Sequence, residues 1–411
     1  MRRREFLSLL PAAFALPNVM SAADLHSFRV RTITAGVPVS LRDWHRQLDD
    51  IAAFLDEARR DFENQGYEVQ TLRIATQPLP DYLPGWSTPD GLRVLSELDE
   101  FCQQHDFVLS VGPVVHSDAY EPGLPEWAAE LIRTTGRISF SVGIASADAG
   151  IHAGAIRTAA ETIAAIAHAS PGGEGNFRFA ASANCPPGTP FFPAAWHRGE
   201  PAFAIGLESP PLLLAAARSR PQNQPLAIHI ASNLDAALLP VQQLALEIAR
   251  RTGLAFLGID TSPAPGPDAS IGEVIETITG APFGSVSTLS ACASITDALK
   301  NLQVSACGYS GLMLPVIEDT VLARRAAEGR YGLQELLLYS SVCGTGLDVV
   351  PLPGDSSTGS LMSVIGDVAA LSAKYRKPLS ARLFPIPGKR AGEAVTFDNP
   401  YLTDSVVLGI D

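Results

Sequence analysis

The chain has 411 residues, 46% apolar and only 18% charged, so it can bury a large core and is not globally disordered. Its formal net charge of −13, with no basic run after the N-terminus, argues against a nucleic-acid partner, which needs clustered Lys and Arg. Five cysteines (Cys102, Cys185, Cys292, Cys307 and Cys343) lack C-x-x-C spacing, which excludes a zinc ribbon and a complete disulfide framework.

Residues 1–23 stand apart from the rest. Arg2, Arg3 and Arg4 precede Glu5-Phe6-Leu7, an apolar stretch runs to Leu16, and Ser21, Ala22 and Ala23 offer the small side chains of a cleavage site. The pattern resembles a twin-arginine export signal and implies a periplasmic protein; the other reading is a poorly ordered cytoplasmic N-terminus. The apolar stretch is too short to span a bilayer, and Pro11 would interrupt its helix.

From residue 24 onward, strand-like and helix-like stretches alternate. Residues 28–34 are β-branched and short, a first strand. Residues 43–65 carry Trp44, Leu48, Ile51, Ala52, Leu55 and Phe62 near helical spacing, and Gly66 closes them at the C-terminal cap. Strands follow at 68–75, 107–111, 138–144, 177–181, 203–207 and 255–259, with helices among them at 152–167 and 236–252. Such alternation predicts βαβ units and a mostly parallel sheet of about eight to ten strands, open or closed into a barrel. No long Pro/Gly/Ser linker divides it, so 24–411 is expected to be one domain.

The second half has long loops rich in Gly, Pro and hydroxyl residues at 184–193, 260–265 and 343–360, where ligand sites on α/β scaffolds commonly lie. Asn184 opens the first. The third contains Gly344, Thr345, Gly346, Asp355, Ser356 and Ser357 and leads into an expected helix at 361–373. Backbone N–H groups before a helix N-terminus suit an anion, although Ser and Thr there also serve as plain caps. Cys343, between an apolar run and two glycines, is either a nucleophile facing an open site or a buried core thiol. Acids recur after strands and at a helix start: Glu208, Asp260, Glu318, Asp319, Asp348 and Asp355. With His197 and His229 they are candidates for binding a divalent ion or for acid–base catalysis. Neither H-E-x-x-H nor G-x-x-x-x-G-K-[ST] occurs, so no metal site is assigned and the cofactor is unknown. Lys389 and Arg390, after Pro387-Gly388, are either a cation pair for an acidic ligand or a solvated turn.

Several of these segments also form a set. Gly66-Tyr67-Glu68-Val69-Gln70-Thr71 with Arg73-Ile74-Ala75-Thr76, Pro187-Gly188-Thr189-Pro190-Phe191-Phe192-Pro193, and Gly311-Leu312-Met313-Leu314-Pro315 with Glu318-Asp319 belong to it. So do Val342-Cys343-Gly344-Thr345-Gly346-Leu347-Asp348, Pro351-Leu352-Pro353-Gly354-Asp355 and Pro387-Gly388-Lys389. Over roughly residues 28–408 the chain resembles the uncharacterised family called domain of unknown function 711, described as pyruvate formate-lyase-like. That resemblance implies an α/β barrel of about ten strands with helices outside, like the barrel of glycyl radical enzymes, and implies no established activity. Radical chemistry does not follow from it. Gly392, in Arg390-Ala391-Gly392-Glu393, is a poor match to the R-V-x-G loop such enzymes need, and Gly409 lacks the context.

Two functions are expected. The first is a non-radical enzyme acting on a small polar or anionic metabolite. Its catalytic candidates are Cys343, Asp348, Asp260, Glu318 and His197; its ligand-binding candidates are Gly344, Thr345, Gly346, Asp355, Ser356, Ser357, Asn184 and Lys389. The alternative is a non-catalytic periplasmic protein that binds the same class of molecule. Neither reading needs nucleic acid or a membrane span, and a homo-oligomer is left open.

Overall fold

The structure, a computed structural model, describes residues 28–266 and 268–410. The expected export signal lies outside the described residues. Twelve strands are defined among those described: β1 (Arg29–Val37), β2 (Val69–Thr76), β3 (Phe107–Val115), β4 (Ile138–Ser146), β5 (Gly150–Ile151), β6 (Phe179–Ala183), β7 (Ala202–Glu208), β8 (Ala255–Pro263), β9 (Gly346–Pro353), β10 (Leu379–Ile386), β11 (Ala394–Val395) and β12 (Ser405–Val406).

The first ten build one sheet in the order β8-β7-β1-β2-β3-β4-β6-β10-β9, with β5 paired beside β4. Strands β1, β2, β3, β4 and β6 run parallel, joined by helical crossovers such as Trp44–Asn64 and Ala153–Ala169. On each side the direction reverses: β7 lies antiparallel to β1 with β8 parallel to β7, and β10 lies antiparallel to β6 with β9 parallel to β10. The sheet is therefore mostly parallel with two antiparallel seams, and helices surround it. Between β8 and β9 in sequence, residues 305–316 touch both strands. Ile259 pairs with Ala306 and Pro315 with Asp348, each as an isolated parallel bridge.

The helical periodicity read for 43–65 is realised in the helix Trp44–Asn64, whose six apolar positions are all buried against the sheet. Gly66 follows at φ 88°, a conformation that glycine adopts without a Cβ penalty, and its N–H reaches the Glu63 carbonyl at 2.9 Å. Three expectations are corrected. The strand expected at 177–181 begins two residues later, because 3-10 turns over Pro171–Arg178 hold Phe177 and Arg178. The helix expected at 236–252 starts at Leu226 and continues through Pro240. The middle of the expected loop 343–360, Gly346–Pro353, is β9: Pro351 and Pro353 are tolerated because β9 ends the ladder, with a full strand partner only in β10.

Apolar side chains of strands and helices form one core on the helix side, including Leu48, Phe62, Ile74, Phe107, Phe140 and Phe384. The opposite face of the sheet is filled by the Pro-rich loop 184–197. Thr34 Oγ1 donates to the Pro190 carbonyl (2.9 Å), Ser110 Oγ to that of Ala195 (2.6 Å), and the His197 N–H to that of Thr76 (2.8 Å). The loop thus crosses β1, β2 and β3. Its Phe191 packs in a second apolar cluster with Ala180, Ala264, Tyr309 and Met313. Gly36 is required by this approach, since a Cβ there would overlap the His197 ring.

Candidate functional site

A cavity of 1240 Å³ opens where the five parallel strands begin and β7 and β8 end. Its wall includes Arg29 and Arg31 of β1, Thr71 and Arg73 of β2, Phe177 and Arg178 before β6, Ala264 and Pro265 after β8, Asp348 of β9 and Arg382 of β10. Phe191 and Phe192, at the turn of the Pro-rich loop, add aromatic surface, and Met313, Pro315, Glu318, Asn399 and Tyr401 are also part of the lining. Thr71 and Arg73, two residues apart on a strand, share one face by the period of two, which turns Leu72 and Ile74 toward the core.

The charged groups form a chain along this wall. Arg382 Nη1 donates to Asp348 (2.7 Å) and Glu318 (3.2 Å), and Arg31 lies 3.9 Å from Glu318 and 2.9 Å from Glu208. Gln70 also donates to Glu208 (2.9 Å), and Arg29 continues the chain through Glu208 (2.6 Å) to Asp268 (2.7 Å) and Glu68 (2.9 Å). Glu208 is fully enclosed by these donors. Those donors supply the partners that a carboxylate taken out of water requires.

Arg73 breaks the pattern. Its Nε donates to Thr71 Oγ1 (3.1 Å) and its guanidinium lies 5.0 Å from the Phe192 ring centre. Among the described residues no carboxylate comes within ion-pair distance of it. Burial first, then the charge of Arg31, pull its pKa down to about 9, and the opposing field of Glu318 only partly offsets them. An anion placed against its terminal nitrogens would relieve both effects. Glu318 is displaced in the complementary sense: burial raises its pKa, Arg382 and Arg31 oppose this, and Asp348 adds to it. Burial lowers the Arg382 pKa, but Asp348 and Glu318 outweigh it and hold the group above its usual value. A guanidinium without a partner beside a carboxyl with a raised pKa can bind an anion and exchange a proton with it.

Of the residues singled out in the sequence, Asp348 and Glu318 meet here, both on Arg382. The others do not line the cavity. Asp260 is fully buried and accepts the backbone N–H groups of Ser262, Tyr309 and Ser310, so it holds a turn; burial raises its pKa. Cys343 is enclosed in the core, and its carbonyl, with those of Ser340 and Ser341, accepts from Lys377 Nζ. A thiol packed among core side chains has no route to a ligand in the cavity. Gly344 crosses close to Gly311, Thr345 Oγ1 donates to the Leu312 carbonyl (3.3 Å), and Gly346 starts β9 at φ 88°. The 344–346 backbone is therefore engaged in packing. Ser357 caps the helix Thr358–Tyr375 by accepting the Ser360 N–H, Ser356 Oγ donates to the Pro353 carbonyl, and Asp355 is exposed. Capping accounts for that stretch. Lys389 stands on an exposed turn. His197 and Asn184 lie toward the far ends of the strands, beside Gly36 and Ala145; His197 Nε2 meets the Glu200 carbonyl, and burial lowers its pKa.

The sequence reading missed Arg31, Arg73 and Arg382. Each is an arginine inside an otherwise apolar or β-branched strand (RVRTITAGV, VQTLRIAT and LSARLFPI), a position where a charge needs a reason. That signal was legible. Of the rings that cover Arg382, Arg73 and Arg31, Phe192 stood in the distinctive segment 187–193, whereas Phe177 and Tyr401 carried no signal.

Comparison with known proteins places the chain in a wider set. The family model described as Uncharacterised ACR (DUF711) matches residues 23–399. The chain belongs to the DUF711 family. Among its relatives are UPF0210 proteins of Pyrobaculum arsenaticum, 32% identical over 361 residues (83% of this chain, 79% of the relative), and of Desulforudis audaxviator, 31% identical over 397 residues (90% and 88%). A UPF0210 protein of Methanosarcina barkeri is 28% identical over 402 residues (90% and 87%). The family is uncharacterised. Among the described residues no helix of this DUF711 protein is long and apolar enough to cross a membrane.

Proposed function

We propose that this DUF711 protein is a non-radical enzyme acting on a small organic anion in the cavity of Arg73 and Glu318. Arg73 is the anchor, because its terminal nitrogens have no carboxylate of the protein to satisfy them. Glu318 is the proton-transfer group. Arg382 and Asp348 position it, with Arg31 on its other side. The observation that carries the reading is Arg73 itself, a half-buried cation with no carboxylate at ion-pair distance, beside arginines that each have one.

The same proposal includes closure of the sheet into a barrel of ten long strands, residues 305–316 joining β8 to β9. The two isolated bridges support it, as do the hydrogen bonds from Cys307 to Ile259 (3.1 Å) and from Val316 to Asp348 (3.1 Å). Five strands would then run each way around the Pro-rich loop, the arrangement implied by the pyruvate formate-lyase-like description. The chemistry would still be polar: Gly392 is on the surface and Cys343 is in the core. Export through residues 1–23 is the remaining part of the proposal.

The test is solvent exchange. The full chain is incubated in D2O with a mixture of organic acids, and deuterium incorporation is followed by NMR. The wild type should label at least one acid next to its carboxyl group, Glu318→Gln should bind it without labelling, and Arg73→Met should lose binding. Binding with no exchange by the wild type would leave only the non-catalytic alternative, and equal binding by Arg73→Met would remove the anchor.

A further inference from the structure

The arrangement of charge inside the cavity also specifies what kind of anion it takes, an inference that rests on the anion-binding reading above. Three guanidinium groups, Arg31, Arg73 and Arg382, stand around the inner cavity, and two are already matched. Arg31 is paired with Glu208 (2.9 Å), and Arg382 with Asp348 (2.7 Å) and Glu318 (3.2 Å). Arg178 also lacks a carboxylate, but its terminal nitrogens donate to Ile132 O (2.7 Å), Thr135 Oγ1 (3.0 Å) and Ile138 O (3.2 Å), so it fastens the chain before β6. Arg73 is therefore the one guanidinium of the three without a carboxylate at ion-pair distance, and the place where an anion from outside would bind. A second negative charge on the ligand would approach Glu318 and Asp348, which line the same cavity. It would stand beside carboxylates with no free guanidinium to receive it, so a dianion is disfavoured.

The shape adds a second restriction. Phe192 covers one face of the Arg73 guanidinium and Thr71 takes its Nε, which leaves the two terminal nitrogens as an edge of parallel donors suited to a planar carboxylate. Beside that edge the wall becomes apolar, with Phe191, Phe192, Met313 and Pro315. The 1240 Å³ volume exceeds the roughly 300–1,000 Å³ of ordinary small-molecule sites, far more than a two- or three-carbon acid would fill.

We infer that the ligand is a monocarboxylate with a sizeable apolar body, its carboxylate on Arg73 and its body along Phe192, Phe191 and Met313. Dicarboxylates and inorganic phosphate are poor ligands on this assignment.

Isothermal titration of the full chain with acetate, butanoate, 4-phenylbutanoate, 4-phenylbutanamide, succinate and phosphate tests it. Expected is a rise in affinity of about tenfold or more from acetate to 4-phenylbutanoate, with the neutral amide, succinate and phosphate each weaker than butanoate. Arg73→Lys, which keeps the charge but not the fork, should weaken 4-phenylbutanoate about tenfold. Phe192→Ala should weaken 4-phenylbutanoate by a larger factor than acetate and so shrink the advantage of the phenyl chain; it covers the case in which the arginine variant fails to fold. If succinate or phosphate binds as tightly as butanoate and depends on Arg73, the charge selection is overturned while the anion site stands. If no probe binds, both fall.

Discussion

Replacing Arg382 by Met tests whether the cavity wall is a coupled electrostatic unit. The side chain is 10% exposed and stands between Asp348 and Glu318, exposed by only 5% and 11%. Methionine keeps much of the volume and its contact with Phe177, but leaves two neighbouring carboxylates in a low-dielectric site. Removing one partner of a buried ion pair costs about 3–5 kcal/mol. Glu318 retains Arg31 only at 3.9 Å, and Asp348 has no other charged donor among the described residues, so the cost should fall in that range at neutral pH. The pH dependence is the more specific part. Burial and Asp348 already raise the Glu318 pKa, and loss of Arg382 raises it further. A carboxyl whose folded pKa exceeds its unfolded value binds more protons in the folded state, so stability falls as pH rises from the unfolded pKa through the folded one. The penalty of Arg382→Met should therefore be largest at pH 7–8 and shrink as pH falls toward the ordinary carboxylate range. Urea unfolding of wild type and variant, compared at pH 5 and pH 8 at matched ionic strength, gives the difference from midpoints and slopes. A cost below about 1 kcal/mol, or one independent of pH, would show that the three groups act as a solvated cluster, and the argument for Glu318 would lose its basis.

Two further outcomes follow from other parts of the molecule. Gly36→Ala drives a methyl group into the His197 ring, whose Nε2 is held at the Glu200 carbonyl, so it should cost about 1–3 kcal/mol; an unchanged urea midpoint would mean that the Pro-rich loop is not seated against β1. Replacing Arg3 and Arg4 by Lys should retain the precursor in the cytoplasm when cell fractions are probed by immunoblot; undiminished export would exclude a twin-arginine route.

How much of this was legible in the sequence depended on how local the determinants were. The helix Trp44–Asn64 and strands β2, β3, β4, β7 and β8 were readable because their apolar spacing and flanking breakers act within a few residues. Strand β9 was not. Its prolines and glycines read locally as a loop, and only the ladder to β10 and its place at the end of the order make it a strand. The same limit applies to the acids. Asp260, Asp348 and Glu318 are alike as isolated residues after strands or before a helix, yet the fold gives Asp260 three backbone N–H groups and gives the other two an arginine. What separates a structural carboxylate from a reactive one is its donor set, and donors 49 or 50 residues away are not a local property.

The arginines invert that difficulty. A carboxylate in a loop has many ordinary explanations, whereas an arginine within a buried strand has few, since desolvating it must be offset by an acceptor. For Arg31 and Arg382 the acceptors are found in Glu208, Asp348 and Glu318, and their presence is explained as structure. Arg73 remains after that subtraction. Thr71 takes one of its donors and Phe192 shields one face, but neither supplies charge. Had the position served packing alone, an uncharged side chain would fill it without the desolvation cost. The protein instead keeps a cation whose pKa burial pulls down to about 9, within a cavity wide enough to admit a counter-charge from outside. Glu318 lines the same cavity and burial raises its pKa, so it is the group that the proposed proton transfer to or from that anion would use.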